Sequence, residues 1–187
     1  RWRAACVASA LVVGMPALAL AESDAERAGA RSAAEAGLAA YNAGRYSDAL
    51  DLMRRAESLV HAPTHLLYMA RASEKLGQLV QAREMYLKIT REPLPKNAPR
   101  AFVDAQHDAA QEVTAIERRL PYLTIKTDAP LPNGVKVKLD DREIPSVLVG
   151  VPFPANPGKH VIMAVSASGS SGEPANLTLA EGKREII

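Results

Sequence analysis

The chain has 187 residues, 48% of them hydrophobic, with 23 basic against 21 acidic side chains. That is enough for two small domains, and the near-balance of charge excludes the basic field on which nucleic-acid binding depends. A single cysteine, Cys6, excludes a disulfide framework and a cysteine-built metal site.

Arg1-Trp2-Arg3 is basic, residues 4–20 are apolar, and Ala19-Leu20-Ala21 is a small-x-small site before Glu22. This is the pattern of a secretory signal peptide, residues 1–21, with a retained signal anchor as the rival reading. The apolar run is too short and too rich in alanine for a membrane span, so cleavage would leave none here. Cys6 lies at the start of the apolar run rather than after it, and Arg3-Ala4-Ala5 before it is not a lipoprotein cleavage motif. Taking Arg1 and Arg3 from the 23 basic residues leaves 21, against 21 acidic. The mature chain would therefore be neutral and free of cysteine.

Residues 22–120 read as a helical module. Within residues 33–90 one pattern occurs twice. Gly44-Arg45-Tyr46-Ser47-Asp48-Ala49 returns as Gly77-Gln78-Leu79-Val80-Gln81-Ala82, a step of 33 residues from Gly44 to Gly77. A fixed period of this size marks stacked helical pairs. Ala33, Ala36, Gly37, Ala40 and Tyr41 share a stripe at three- and four-residue spacing, as do Ala49, Leu52, Met53, Ala56 and Leu59. Leu66, Met69, Ala70 and Leu76, then Ala82, Met85, Tyr86 and Ile89, repeat the arrangement. Gly44 and Gly77 each end a helix, because glycine enters the left-handed conformation without a Cβ clash. Ser47 or Asp48 serves the next helix start, and Pro63 opens the third helix.

Gly37, Gly44, Tyr46, Ala49 and Ala56 in the first copy, and Ala70, Gly77, Leu79, Ala82 and Tyr86 in the second, resemble the tetratricopeptide repeat. Ala33 and Leu66 stand where that family has tryptophan. The resemblance implies a groove lined by Arg31, Leu38, Tyr41, Asn42, Thr64, Leu67, Arg71, Glu74 and Lys75, open to a protein or peptide. Arg71 and Lys75, four apart, would then grip an acidic or C-terminal peptide by charge-assisted hydrogen bonds. Residues 92–97 break the pattern, and Asn97 is expected to cap a long helix running to about Arg119 that closes the stack. Phe102, Ala109, Val113, Ile116 and Leu120 form its apolar stripe.

At Pro121 the period becomes two, which means strands. Leu123, Ile125 and Thr127 alternate, and so do Val135, Val137 and Leu139. Asn133-Gly134 and Asp140-Asp141 are turns. Residues 160–167 and 177–179 are further strands, and residues 184–187 open another, so the module reads as continuing past Ile187. Val135-Lys136-Val137-Lys138-Leu139, then Asp140, Pro145 and Pro157-Gly158-Lys159-His160-Val161, resemble the PEGA domain, a small β-sandwich of secreted prokaryotic proteins. Asp141 replaces that family's glycine. A leader, helical repeats and such a domain together resemble envelope proteins of Gram-negative bacteria, notably myxobacteria.

The expected fold is therefore α+β: an α-α hairpin array over residues 22–120 and a small β-sandwich over 121–187. No phosphate loop, nucleophile elbow or metalloprotease helix is present in the residues. His61 and His65 straddle Pro63 and read as a loop-end pair rather than metal ligands, and no cofactor is implied. The function expected is a non-catalytic interaction scaffold of the periplasm or cell envelope. The alternative is an envelope-polymer binder, with glycan or peptidoglycan held by the β-module.

Overall fold

The computed structural model describes residues 23–127, 129–169 and 172–187. The expected leader, residues 1–21, lies outside the described residues. Five helices come first: α1 (Asp24–Asn42), α2 (Tyr46–Leu59), α3 (Pro63–Lys75), α4 (Leu79–Arg91) and α5 (Arg100–Glu117). Seven strands follow: β1 (Tyr122–Thr124), β2 (Lys136–Leu139), β3 (Arg142–Ile144), β4 (Phe153–Pro154), β5 (Gly158–Val165), β6 (Ala175–Leu179) and β7 (Arg184–Ile186). The chain is α+β, with a helical array leading into two small sheets.

A capping box starts α1. Ser23 Oγ accepts from the Glu26 N–H (3.1 Å), and the Ser23 N–H donates to the Glu26 carboxylate (2.7 Å), which satisfies two donors that a helix start leaves open. The α1 and α3 ends are alike. Gly44 and Gly77 both have φ +75. Arg45 N–H donates to Ala40 C=O (2.9 Å) and Gly44 N–H to Tyr41 C=O (2.9 Å); Gln78 N–H to Ser73 C=O (2.8 Å) and Gly77 N–H to Glu74 C=O (3.0 Å) repeat the pair one period on. Six-to-one and five-to-two bonds around a left-handed residue make a Schellman turn.

Small residues set the helix spacing. Ala49, Ala56, Ala70 and Ala82 are fully buried, and a Cβ on Gly37 would stand 3.1 Å from Met53. Helix α3 packs against α1 and α5 as well as α2 and α4. So α1, α3 and α5 lie side by side and share one outer face. The larger core joins Leu66, Leu67, Leu79, Tyr86 and Ile89 to Ala105, Ala109, Ile116 and Leu120 of the closing segment. One expected cap is corrected: α5 starts at Arg100 with Pro99 in the cap position and no side-chain bond. Asn97 lies outside it, because the turn closed by Ala98 N–H on Pro95 C=O (2.9 Å) comes first. At α2 Arg45 stands in the cap position and Ser47 makes no cap. Asp48, the other residue expected to serve that start, lies in the first turn, where its charge opposes the helix dipole.

The strands form sheets ordered β4-β1-β7 and β3-β2-β5-β6. Leu123, Ile125, Phe153 and Ala155 from the first side meet Val137, Leu139, Ile162 and Leu179 from the second in one core. Lys136 and Lys138 alternate with Val137 and Leu139 and point away, as period two requires. The turn at Asn133-Gly134 (Gly134 φ +81) carries the chain between sheets rather than closing a hairpin. Residues read as a new strand at the end are β7, which pairs in parallel with β1.

The two parts are bonded together. Gly182 N–H donates to Arg119 C=O (2.7 Å), and the Arg119 side chain holds Glu181. Gln78 heads α4 without a side-chain cap bond. The missing bond comes from the sandwich: Asn156 Oδ1 accepts from Val80 N–H (2.9 Å), and Asn156 Nδ2 donates to Gln81 Oε1 (3.1 Å). An N-cap is thus supplied 76 residues downstream of the amide it satisfies.

Candidate functional site: the face of α1, α3 and α5

Tyr41, in the last turn of α1, meets two rings edge-on: Tyr46 at 5.4 Å and Tyr68 of α3 at 5.5 Å between centroids. The Arg71 guanidinium lies 5.3 Å from the Tyr68 ring centre. Leu38, one turn before Tyr41, is 36% exposed. An aromatic and apolar strip therefore crosses from α1 to α3.

Arg71 then reaches α5. It donates through Nη2 to Asp108 (2.8 Å) and through Nε and Nη2 to both oxygens of Glu112. Burial works against the guanidinium charge, but Glu112 and then Asp108 outweigh it and raise its pKa. Beneath, the fully buried Tyr86 of α4 donates its hydroxyl to Glu74 (3.1 Å). Burial first, then Glu112 and Glu74, push that phenol up and keep it neutral. Glu74 also accepts from Arg119, whose Nε and Nη2 hold Glu181 beyond β6 at 2.8 and 2.9 Å. Two polar runs result: Asp108 and Glu112 held on Arg71, and Tyr86, Glu74, Arg119 and Glu181 in line toward the sandwich.

The nine residues expected to line a groove are distributed as follows. Arg31, Leu38, Asn42 and Lys75 are exposed, while Thr64, Tyr41, Arg71 and Glu74 are half-buried. Leu67 is a correction: at 4% exposure it belongs to the core, because it sits where α3 turns toward its packed neighbours. Arg71 is a second: it is held by two carboxylates rather than open to an anion. Sequence reasoning missed Tyr68, Asp108 and Glu112. The signal was available, since Asp108 and Glu112 are four apart on one helix face.

The sandwich contributes a second cluster. His160, 9% exposed, places Nδ1 2.9 Å from the Asp140 carboxylate and donates through Nε2 to the Asn156 carbonyl (2.8 Å). Asp140 has φ +55, a left-handed conformation unusual outside glycine. Its Oδ1 accepts from Val161 N–H (2.9 Å). Burial pushes Asp140 up, but the Val161 N–H and His160 outweigh it and lower its pKa. A cleft of about 420 Å³ opens beside this cluster, floored by Leu139, Leu148 and Phe153.

A third cluster joins α2 to the end of α4. His61 Nδ1 meets Glu57 at 2.5 Å and Nε2 meets Glu92 at 2.9 Å. The Glu57 bond, then Glu92, raise His61 above 6.5. Burial pushes Glu57 up, but His65, His61 and the Ala62 N–H outweigh it and bring it below 4.5. The raised His61 stabilises the fold fully below about pH 6.5 and less as pH climbs through its folded value. The lowered Glu57 stabilises it above about pH 4.5 and less as pH falls through its folded value. Both contributions are present between those limits. Thermal unfolding of a His61→Asn chain should therefore fall short of the parent by more at about pH 5.5 than at about pH 8.5. An equal shortfall at both would show that His61 carries no folding-linked proton.

Among the described residues no helix is long and apolar enough to cross a membrane. Compared with protein-family models, curated proteins and solved structures, the chain gives no significant match in any of the three.

Proposed function

We propose that the chain is a non-catalytic protein–protein interaction scaffold of the bacterial periplasm or cell envelope. In this reading the helical array is of tetratricopeptide-repeat type, the sandwich is PEGA-like, and the α1–α3–α5 face holds a protein or peptide. The observation that carries it is the strip of Leu38, Tyr41 and Tyr68 on neighbouring helices, Leu38 exposed and both rings half-buried, held in place by ring contacts and by the Arg71 bridge to α5. Rigid aromatic anchors in a fixed frame are what binding hot spots are made of. The doubled Schellman turn at a 33-residue step supports the repeat. The leader pattern of residues 1–21 supports the location. The glycan alternative loses ground: Phe153 is core, and Arg184 lies 5.0 Å from the centre of the Tyr122 ring, so neither offers a bare aromatic platform.

Displayed random peptides selected on the chain provide the test. Enriched peptides should bind a Leu38→Ala, Tyr41→Ala double variant at least about tenfold more weakly. Peptides that bind the parent and this variant equally would remove the face from the function.

A further inference from the structure

We propose that the occupant of the α1–α3–α5 face is a basic peptide segment, one that sets a lysine or arginine beside apolar residues. The proposal rests on the docking role given to that face above and names the chemistry it selects.

Asp108 and Glu112 both pair with Arg71, and Glu74 and Glu181 both pair with Arg119, so each guanidinium answers two carboxylates. Lys75 lies a turn beyond Arg71 on α3, away from Tyr68, and has no ion-pair partner among the described residues. Arg31 and Lys75, both exposed on this face, bring the cations to four, so the surplus is local: Asp108 and Glu112 share the one guanidinium of Arg71. His107 comes no nearer to Asp108 than 4.0 Å and is largely exposed.

The excess is not uniform. Arg71 is 22% exposed and its donors are already aimed at both Glu112 oxygens and at Asp108 Oδ2. An incoming carboxylate would have to displace one of them and then lie against the acid it displaced. An incoming cation meets no such cost. Asp108, 44% exposed, gives Arg71 one oxygen and leaves Oδ1 turned toward nothing closer than His107. An ammonium or guanidinium placed there makes a charge-assisted bond and cancels surplus negative charge. Apolar neighbours of that cation then reach Leu38 and the Tyr41 ring on α1. Arg71 is thus a strut that orients the acids, and the anion-gripping role expected of it passes to Asp108 with the opposite sign.

Two synthetic peptides of equal length, sharing a leucine–alanine skeleton but carrying lysines in one and glutamates in the other, test this by fluorescence anisotropy with the full chain. The lysine peptide should bind about tenfold or more tightly than the glutamate peptide, and added salt should narrow the gap. Asp108→Asn should weaken the lysine peptide about fivefold, the order expected of a partly exposed ion pair. Asp108→Glu should restore most of it. Circular dichroism and thermal unfolding establish that each variant folds, and Glu112→Gln serves as a second neutralising change. If both peptides bind alike and both are weakened by Leu38→Ala with Tyr41→Ala, the face is a docking surface and the basic preference is overturned. If binding ignores those apolar changes, or neither peptide binds, the docking role falls as well.

Discussion

Replacing Tyr86 by alanine should lower the stability of the chain by about 3–5 kcal/mol, the range seen when a large buried side chain is removed. Tyr86 is fully buried and packs in the cluster with Leu66, Ala82, Ile89 and Ala109. It also donates its hydroxyl to Glu74 of α3. Deleting it opens a cavity among helices whose alanines cannot move in to fill it. Tyr86→Phe separates the two contributions. It keeps the ring and loses only the bond to Glu74, which Arg119 still holds, so about 1 kcal/mol is expected. Urea unfolding of both variants measures the difference. A Tyr86→Ala loss no larger than that of Tyr86→Phe would mean the ring is not a core element.

His160→Ala should cost about 2–3 kcal/mol, more than its size alone suggests. The ring bridges Asp140 and the Asn156 carbonyl, so its loss leaves two acceptors of a half-buried region unpaired. It also releases Asp140 from a left-handed turn held by few bonds. The effect should travel. Asn156 caps α4, and a loosened Asn156 frays that helix start. Asn156→Ala alone should cost about 0.5–2 kcal/mol, as N-cap losses do. In a double-mutant cycle the two changes should fall short of additivity, because each removes part of the same connection. Strict additivity in chemical denaturation would show the cap and the imidazole to be independent.

Much of the fold was legible because its signals are local. Glycine at Gly44 and Gly77 and the recurring small residues fix the hairpins, and the change to period two at Pro121 marks the strands. Ser23 and Glu26 spell a capping box that the residues alone would have allowed. The short strands β3 and β4 were hidden, since three and two residues flanked by prolines carry no periodicity to read. The parallel pairing of β7 with β1 was hidden too, because it joins Tyr122 to Arg184, residues distant along the chain. The site was half legible for the same reason. Tyr41 and Leu38 follow from helical spacing, but the charge on Arg71 is decided by Asp108 and Glu112, more than 35 residues away. Leu67 was placed outward by a family alignment and inward by the packing of α3.

The Asn156 bond to Val80 gives the boundary at Pro121 a different character from an ordinary linker. A chain cut there would strip α4 of its first-turn acceptor and the sandwich of the surface that Asn156 rests on. Neither fragment would inherit a complete set of satisfied backbone amides. Insertions between the halves, or swaps of one half for a foreign module, would carry the same penalty, so lengthening or exchanging this joint alters the stability of elements lying well away from it in sequence.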